Sequence, residues 1–351
     1  MKKLISLLLI LVLCFSLAAC GNKAAEPAET AEPESSETET DTETEPADTS
    51  SDEATVIRMA SLKGPTSMGL VGLYNRADQD ELPYTLEYTI NGAADEISPL
   101  LINGELDAAA IPANLASVLY NKTGGNIVVA AINTFGVLYI VESGDSIQSV
   151  ADLKGKTIYS TGKGTTPEYA LDFLLENNGI DPENDVTIEF ASEATEVSTM
   201  LTEDTTGNAV AVLPQPYVTA ALAQNDSLRV ALSFAEEWEK VTADSKLVTG
   251  VLVFSKEFAE KNPNLVAEFM NDYALSVEFA NSSTEEAAAL IEQYGIVAKA
   301  PIAAKALPFC NIAFVDGQDM KDTLSGYLQT LFDKNPQAVG GTLPGDDFYL
   351  G

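Results

Sequence analysis

The chain contains no histidine. That absence removes Ser-His-Asp and Cys-His activation of a nucleophile, together with most zinc sites. Positive charge is scarce. Lys and Arg number 19 against 53 Asp and Glu, a formal net charge of -34. Such a chain is repelled by nucleic acid and by a bare anionic membrane, although the field inside a pocket is set by local groups. Cysteine is limited to Cys14, Cys20 and Cys310. Cys14 falls inside an N-terminal leader, so no disulfide framework is built, and Cys310 reads as a small buried hydrophobe. The apolar run Leu4 to Ala19 is too short for a comfortable membrane span. No nucleophile-and-base pair is evident, no cofactor or metal site is expected, and Asp78, Asp80 and Glu81 read as a hydrated surface run.

What is present begins with that leader. Lys2 and Lys3 precede the apolar run, which ends in Leu17-Ala18-Ala19-Cys20-Gly21. The stretch resembles a bacterial lipoprotein signal, with cleavage before Cys20 and lipid added to it. Acyl chains anchor by burying methylene groups, about 0.8 kcal/mol each. Residues 1–19 are therefore expected to be a signal peptide. Residues 20–55 are rich in Glu, Thr, Ser, Pro and Ala and lack aromatics. Such a segment cannot offset its ordering entropy and is expected to be an extended acidic tether.

The remainder, in a chain of 351 residues that is 46% hydrophobic, is enough for two packed lobes. It is organised around Thr157 to Tyr169, TIYSTGKGTTPEY. A short strand leads into a glycine-rich loop. Thr166 is placed as an N-cap and Pro167 at the first helical position, with a helix from Glu168 to about Asn178. Unpaired N–H groups at that helix start, with Ser160, Thr161, Lys163, Thr165 and Thr166 around them, suit a polar or anionic group. The spacing of GKGT does not make a Walker A loop.

An equivalent pattern lies upstream. Val56 to Ala60 reads as a strand, followed by Leu62-Lys63-Gly64-Pro65-Thr66-Ser67 and a helix from Met68 to about Asn75. Further strands are expected at 84–90, 107–111, 127–132, 137–141, 185–190, 209–213, 228–232 and 247–254, with amphipathic helices at 264–279 and 319–333. Two successive βαβαβ units, 56–132 and 155–232, each carry a Gly/Pro/Thr loop after the first strand and a Pro loop after a later one. Two such lobes face four loops onto one cleft. Crossings near Asn133–Gly136 and Thr249–Gly250 are expected to act as hinges.

Several stretches, among them IPANLASVLYNKTGG, NTFGVLYIVESG, DLKGKTIYSTGKGTTPEYALDFLL and LPQPYVTAAL, resemble extracytoplasmic solute-binding proteins of the NMT1/THI5-like group. That group includes sulfonate, taurine and nitrate binding components of ABC importers and proteins for the thiamine pyrimidine precursor. The resemblance covers about Val56 to Leu350. It implies an α/β, two-lobed periplasmic-binding-protein fold of type II, each lobe a mixed sheet covered by helices. Lobe 1 would take 56–132 plus 250–351, and lobe 2 would take 133–249. It also implies a monomer without enzymatic activity that delivers a small solute to an ABC permease, held by a lipid anchor on the extracytoplasmic face. A branch of the group that makes the pyrimidine itself carries a histidine and a cysteine-rich motif, and this chain has neither. A surface sensor and an enzyme acting on a pyrimidine-like substrate are the alternatives. Family-type ligand loops fall on Lys63, Thr66 and Ser67, on Asn91 and Asn114, on Asn133 and Thr134, and on Lys163, Gly164, Thr165, Thr166 and Gln215. Tyr217 or Trp238 is expected as an apolar or stacking wall, although Trp238 reads more as packing than as wall.

Overall fold

A computed structural model describes residues 56–205, 209–242 and 245–351. The expected signal peptide, lipidation site Cys20 and tether lie outside the described residues. Glu53–Gly351 forms one compact unit.

The strands are β1 (Val56–Leu62), β2 (Thr85–Asn91), β3 (Ala108–Pro112), β4 (Ile127–Phe135), β5 (Leu138–Ser143), β6 (Thr157–Ser160), β7 (Thr187–Phe190), β8 (Ala209–Pro214), β9 (Leu228–Ser233), β10 (Val248–Ser255) and β11 (Ile312–Val315). They form a six-stranded sheet, β11-β4-β10-β3-β1-β2, and a five-stranded sheet, β7-β6-β8-β5-β9. In the first, β1 pairs parallel with β2 and β3, and β10 runs antiparallel beside β3. In the second, β6 pairs parallel with β7 and β8, and β5 runs antiparallel beside β8. The two sheets thus repeat one plan, as the two βαβαβ units predict. β10 and β5 each enter their sheet where the chain crosses out of the other, and β11 adds a second antiparallel strand beside β4.

The strands read as continuous apolar runs because both faces are covered. Side chains alternate between cores with the period of two that a strand imposes. Ala109 and Ile111 of β3 enter one core, while Ala108 and Ala110 enter another on the opposite face. In β8, Val210 and Val212 enter the first core and Ala211 and Leu213 a third. The first core is shared between the sheets. It holds Ile111 and Val251, Ile140 and Val212, and Tyr327 and Leu328 from the helix Gly317–Lys334.

Several elements differ from expectation. β4 does not break at Asn133; it runs to Phe135, because Thr134 pairs with Gly250 of β10 and with Ile312 of β11. Gly250 is likewise inside a strand. The chain leaves the first sheet at Gly136–Val137 and returns between Val241 and Val248. The expected helix from Met68 is two pieces, Pro65–Met68 and Val71–Asp78. The break falls at Gly69, where a Cβ would lie 2.9 Å from Ile312 Cγ2. β11 and the helix Lys256–Lys261 were not anticipated. Cys310 is fully buried and unpaired, as expected of a small hydrophobe.

Candidate functional site: the interlobe cleft

A cavity of about 720 Å³ lies between the two sheets. Its walls are the segments that follow the carboxyl ends of strands: Leu62 to Thr66 after β1, Gly92 to Glu96 after β2, Thr161 to Pro167 after β6 and Phe190 to Ala194 after β7. Pro112 and Leu115, Pro214 and Tyr217, and Val137 and Leu138 complete the apolar part, with Thr134 and Thr249 between them. This is where open α/β sheets collect ligands, since helix starts and loop N–H groups converge there.

The first loop is shaped by Gly64, whose φ of 128° lies in a region that L side chains avoid. Pro65 then opens the short helix, where a missing N–H costs nothing. Thr66 lines the cavity and its hydroxyl donates to the Leu62 carbonyl.

Around the organising stretch, Thr165 rather than Thr166 is the N-cap of the helix Thr166–Asn177. Thr165 Oγ1 donates to the Gly162 carbonyl at 2.7 Å, and the Gly164 N–H donates to the Glu168 carboxylate. Two other helices that begin at the cavity repeat this device. Gly92 N–H and Ala93 N–H donate to Glu96 Oε2 at 3.0 and 3.3 Å, and Ser192 N–H donates to Glu196 Oε2 at 3.0 Å. In each helix the glutamate is the third residue, the position from which a side chain reaches back to the cap. Donors that the sequence offered to an anion are therefore partly satisfied by the chain's own carboxylates.

Of the residues singled out from sequence, Lys63, Thr66, Thr134, Lys163, Gly164, Thr165 and Thr166 line the cavity. Lys163 places its Nζ 5.7 Å from the centre of the Phe190 ring. The others are placed elsewhere. Ser67 is fully buried, its hydroxyl 2.8 Å from that of Ser61 and donating to the Leu62 carbonyl at 2.7 Å. Asn91 accepts the Lys63 N–H on its carbonyl and takes the Thr89 hydroxyl on its side chain. Asn114 is fully buried and donates to Ala338 O at 2.9 Å, while its Oδ1 accepts from Thr166 Oγ1 at 3.2 Å. Gln215 Oε1 accepts from the Thr219 hydroxyl at 2.8 Å and from the Thr219 N–H. Asn133 is 1% exposed and its Nδ2 has no partner, as is true of Thr249 Oγ1.

Trp238 is not part of the cavity wall. It is fully buried, with its ring centre 4.3 Å from that of Phe173 and 5.6 Å from that of Tyr327. The helix Phe234–Val241 turns both Phe234 and Trp238 inward, one helical turn apart. Tyr217, the other wall candidate, does line the cavity, and burial together with the charge of Glu193 pushes its hydroxyl up to about 12.

The sequence reading missed Ala93 to Glu96, Phe190 to Ala194, Leu115 and Thr249. The strand-end rule that found the other loops applies equally after β2 and β7. These segments lack the glycine-proline punctuation that drew attention to the rest.

A two-lobed α/β fold with a solute-sized cleft at the strand ends of both sheets is the architecture of solute-binding proteins. Comparison with known proteins places it further. A family model described as ABC transporter, phosphonate, periplasmic substrate-binding protein matches residues 79–306, and the chain belongs to that family. Its members are substrate-binding components of ABC importers and not enzymes, which fixes an extracytoplasmic role for this chain. An ABC transporter protein from Parabacteroides distasonis is 25% identical with a TM-score of 0.68, covering 85% of this chain and 99% of that one. The aliphatic sulphonate binding protein SsuA of Escherichia coli is 17% identical with a TM-score of 0.64, over 83% and 97% of the two chains. The nitrate-binding protein NrtA of Synechocystis is 12% identical with a TM-score of 0.57, over 76% and 75%. Curated protein sequences give no match. Among the described residues no helix is long and apolar enough to cross a membrane.

Proposed function

We propose that this protein is the lipid-anchored solute-binding component of an ABC importer for a small organic nutrient of the sulfonate, nitrate or thiamine-pyrimidine type. It captures the solute between its lobes as a monomer and presents the closed form to the permease. The observation that carries the reading is the cleft itself: within a substrate-binding family, loops from the strand ends of both sheets converge on one cavity of solute size. Lys63, Thr66, Thr134, Lys163, Thr165 and Thr166 contact the solute, with the Gly164 backbone between the last lysine and threonines. Ser67, Asn91, Asn114 and Gln215 hold the loops that carry them. Cys20 carries the lipid, and the acidic segment behind it gives the folded unit reach.

Native mass spectrometry of the full chain in mild detergent, compared with the denatured chain, tests the central claim. A retained small mass that leaves intact on denaturation supports it, and chemical turnover of that molecule refutes it. Replacing Thr165 and Thr166 together by Ala is expected to weaken binding about tenfold or more. Unchanged affinity in a folded variant removes them from the site. Cys20→Ala is expected to release the protein from the membrane.

A further inference from the structure

We infer that Tyr74 is a positioning residue of the cleft: through the buried hydroxyls of Ser61 and Ser67 it holds the loop from Leu62 to Thr66 in the shape that meets the solute. Tyr74 itself does not line the cavity. The inference rests on the solute-binding reading and adds a residue to its machinery.

A chain of hydrogen bonds runs beneath the first cavity loop. The Tyr74 hydroxyl donates to Ser61 Oγ at 2.7 Å. Ser61 Oγ lies 2.8 Å from Ser67 Oγ, and Ser67 Oγ donates to the Leu62 carbonyl at 2.7 Å. Each hydroxyl has one hydrogen to give. Ser67 gives its own to Leu62, so Ser61 is the donor to Ser67 and the acceptor from Tyr74. The chain therefore runs one way, from Tyr74 to the Leu62 carbonyl, and each bond polarises the next. Thr66 donates to the same carbonyl. Leu62, Lys63, Pro65 and Thr66 all line the cavity, so that carbonyl is where the loop is pinned to itself.

Stability alone does not account for these hydroxyls. Ser61, Ser67 and Tyr74 are fully buried, and Tyr74 packs in a core with Met59, Met68, Leu70 and Val71. Phe and Ala would fill the same space with no polar group to satisfy, and such a change is close to neutral when both partners of a bond go together. What the polar chain adds is direction. It fixes the Leu62 carbonyl and, with it, the turn through Gly64, whose φ is 128°.

The outer end of the chain is held as firmly. The Tyr74 ring stacks on Tyr88 with centres 4.0 Å apart and planes 7° from parallel, and it meets the Tyr294 ring edge-on at 5.8 Å. Tyr88 and Tyr294 each donate to Asp78 at 2.9 Å. Asp78 lies one turn after Tyr74 on the helix Val71–Asp78. Burial pushes the Tyr74 hydroxyl far above its ordinary pKa, so it stays a donor. A side chain locked in this way supports a binding loop from behind. Without its hydroxyl Ser61 is free to turn, Ser67 can donate to Ser61 instead, and the Leu62 carbonyl loses one of its two hydroxyl donors.

The experiment uses the full chain in mild detergent as wild type, Tyr74→Phe, Ser61→Ala, the two combined, and Tyr84→Phe. Tyr84 is the control: it is buried, its hydroxyl donates to Asp272 at 3.0 Å, and it does not line the cavity. Methylphosphonate, ethanesulfonate and nitrate are titrated calorimetrically into the wild type, and whichever binds is carried through the variants. Hydrogen exchange without ligand is followed in peptides spanning residues 62–70, the loop, and 127–132, the core. Tyr74→Phe and Ser61→Ala are each expected to weaken binding about tenfold. Each should speed exchange at 62–70 by about fivefold or more and leave 127–132 within about twofold. Because Tyr74 acts through Ser61, the combined variant should lose no more affinity than the larger single loss. Tyr84→Phe should lower the melting temperature and leave affinity within about twofold. Unchanged affinity in Tyr74→Phe, additive losses in the combined variant, an equal loss in Tyr84→Phe, or unchanged exchange at 62–70 overturns the inference. A wild type that binds none of the three anions refutes the nutrient class proposed above, and the exchange measurement then decides the role of Tyr74 by itself.

Discussion

Asp172 sits on the helix Thr166–Asn177 whose first turn frames the cleft, and its replacement by Asn gives a sharp test of the electrostatics there. The side chain is partly buried. Burial raises its pKa to about 7, reinforced by Glu168 and Glu176 one turn away on either side and by Glu183. In the unfolded chain the group titrates near 4. An acid whose folded pKa is raised stabilises the fold when protonated, and that contribution is lost as pH rises from about 4 through about 7. The shift of about three units corresponds to a ceiling of about 4 kcal/mol. Partial exposure of the carboxylate and of its neighbours reduces this to about 1–2 kcal/mol. Asp172→Asn keeps the shape and removes the titration. Urea unfolding at pH 5 and pH 8 should show the variant close to wild type at the lower pH. At the higher pH it should be more stable by about 1–2 kcal/mol, or a few degrees in melting temperature. Other groups titrate over the same interval but cancel in the difference between the two proteins. Parallel stability profiles, with no gain at pH 8, would refute the reasoning.

Three further outcomes are expected. Gly250→Ala puts a Cβ 2.5 Å from Asn133 Oδ1 and 2.6 Å from Thr66 Cγ2, so stability falls by about 1–3 kcal/mol, and solute affinity falls with it because Thr66 and Thr134 line the cavity; unchanged melting and unchanged affinity count against this floor. Trp238→Phe loses ring volume and the indole donation to Ser245 Oγ at 3.3 Å, costing about 1–2 kcal/mol, while solute affinity measured by calorimetry stays within about twofold; a large affinity loss would return Trp238 to the ligand wall. Asn114→Ala strands the Ala338 carbonyl and removes the acceptor of the Thr166 hydroxyl, costing about 1–3 kcal/mol in a thermal melt, and the distribution of lobe separations seen by small-angle scattering should broaden.

The repeated sheet plan was legible because strands covered on both faces are written as uninterrupted apolar runs, as in Ala108–Pro112 and Ile127–Ile132. The cavity loops after β1 and β6 were legible through Gly64-Pro65 and Gly162 to Pro167, where chain geometry demands particular residues. The first crossing falls at the end of the expected Asn133–Gly136 stretch, while Thr249–Gly250 lies inside β10, and both outcomes have a physical reason. Asn133-Thr134 carries the residue types of a turn, yet pairing on both sides by β10 and β11 holds it in a strand. β11 is only four residues long and follows from tertiary pairing alone. Trp238 shows the limit of residue type as a guide: an aromatic near a binding loop carries no label for which side of its helix faces the cleft. The self-capping glutamates, in contrast, stood in plain sight as Thr165-Thr166-Pro167-Glu168, and the third-position rule would have reassigned those helix ends from the outset.

The way the lobes are joined bears on how such a cleft can work. The chain passes between the sheets at Gly136–Val137 and again between Val241 and Val248, but these are not the only ties. Tyr327, fully buried on the helix Gly317–Lys334, donates to Thr166 Oγ1 at 3.3 Å, and Asn114 bridges the same threonine to Ala338. Trp238 of the second lobe packs on Tyr327. The start of the helix Thr166–Asn177 is thereby fixed against the first lobe at the back of the cleft, while Glu193 meets Gly92 across it. A motion that opens the cavity therefore keeps the apolar seam around Tyr327 and gives up the Glu193–Gly92 approach, since separating buried aromatic surface costs far more than parting a carboxylate from a backbone in water. Opening is then a swing about the seam, and the segments that part across the cleft are those carrying Gly92 and Glu193.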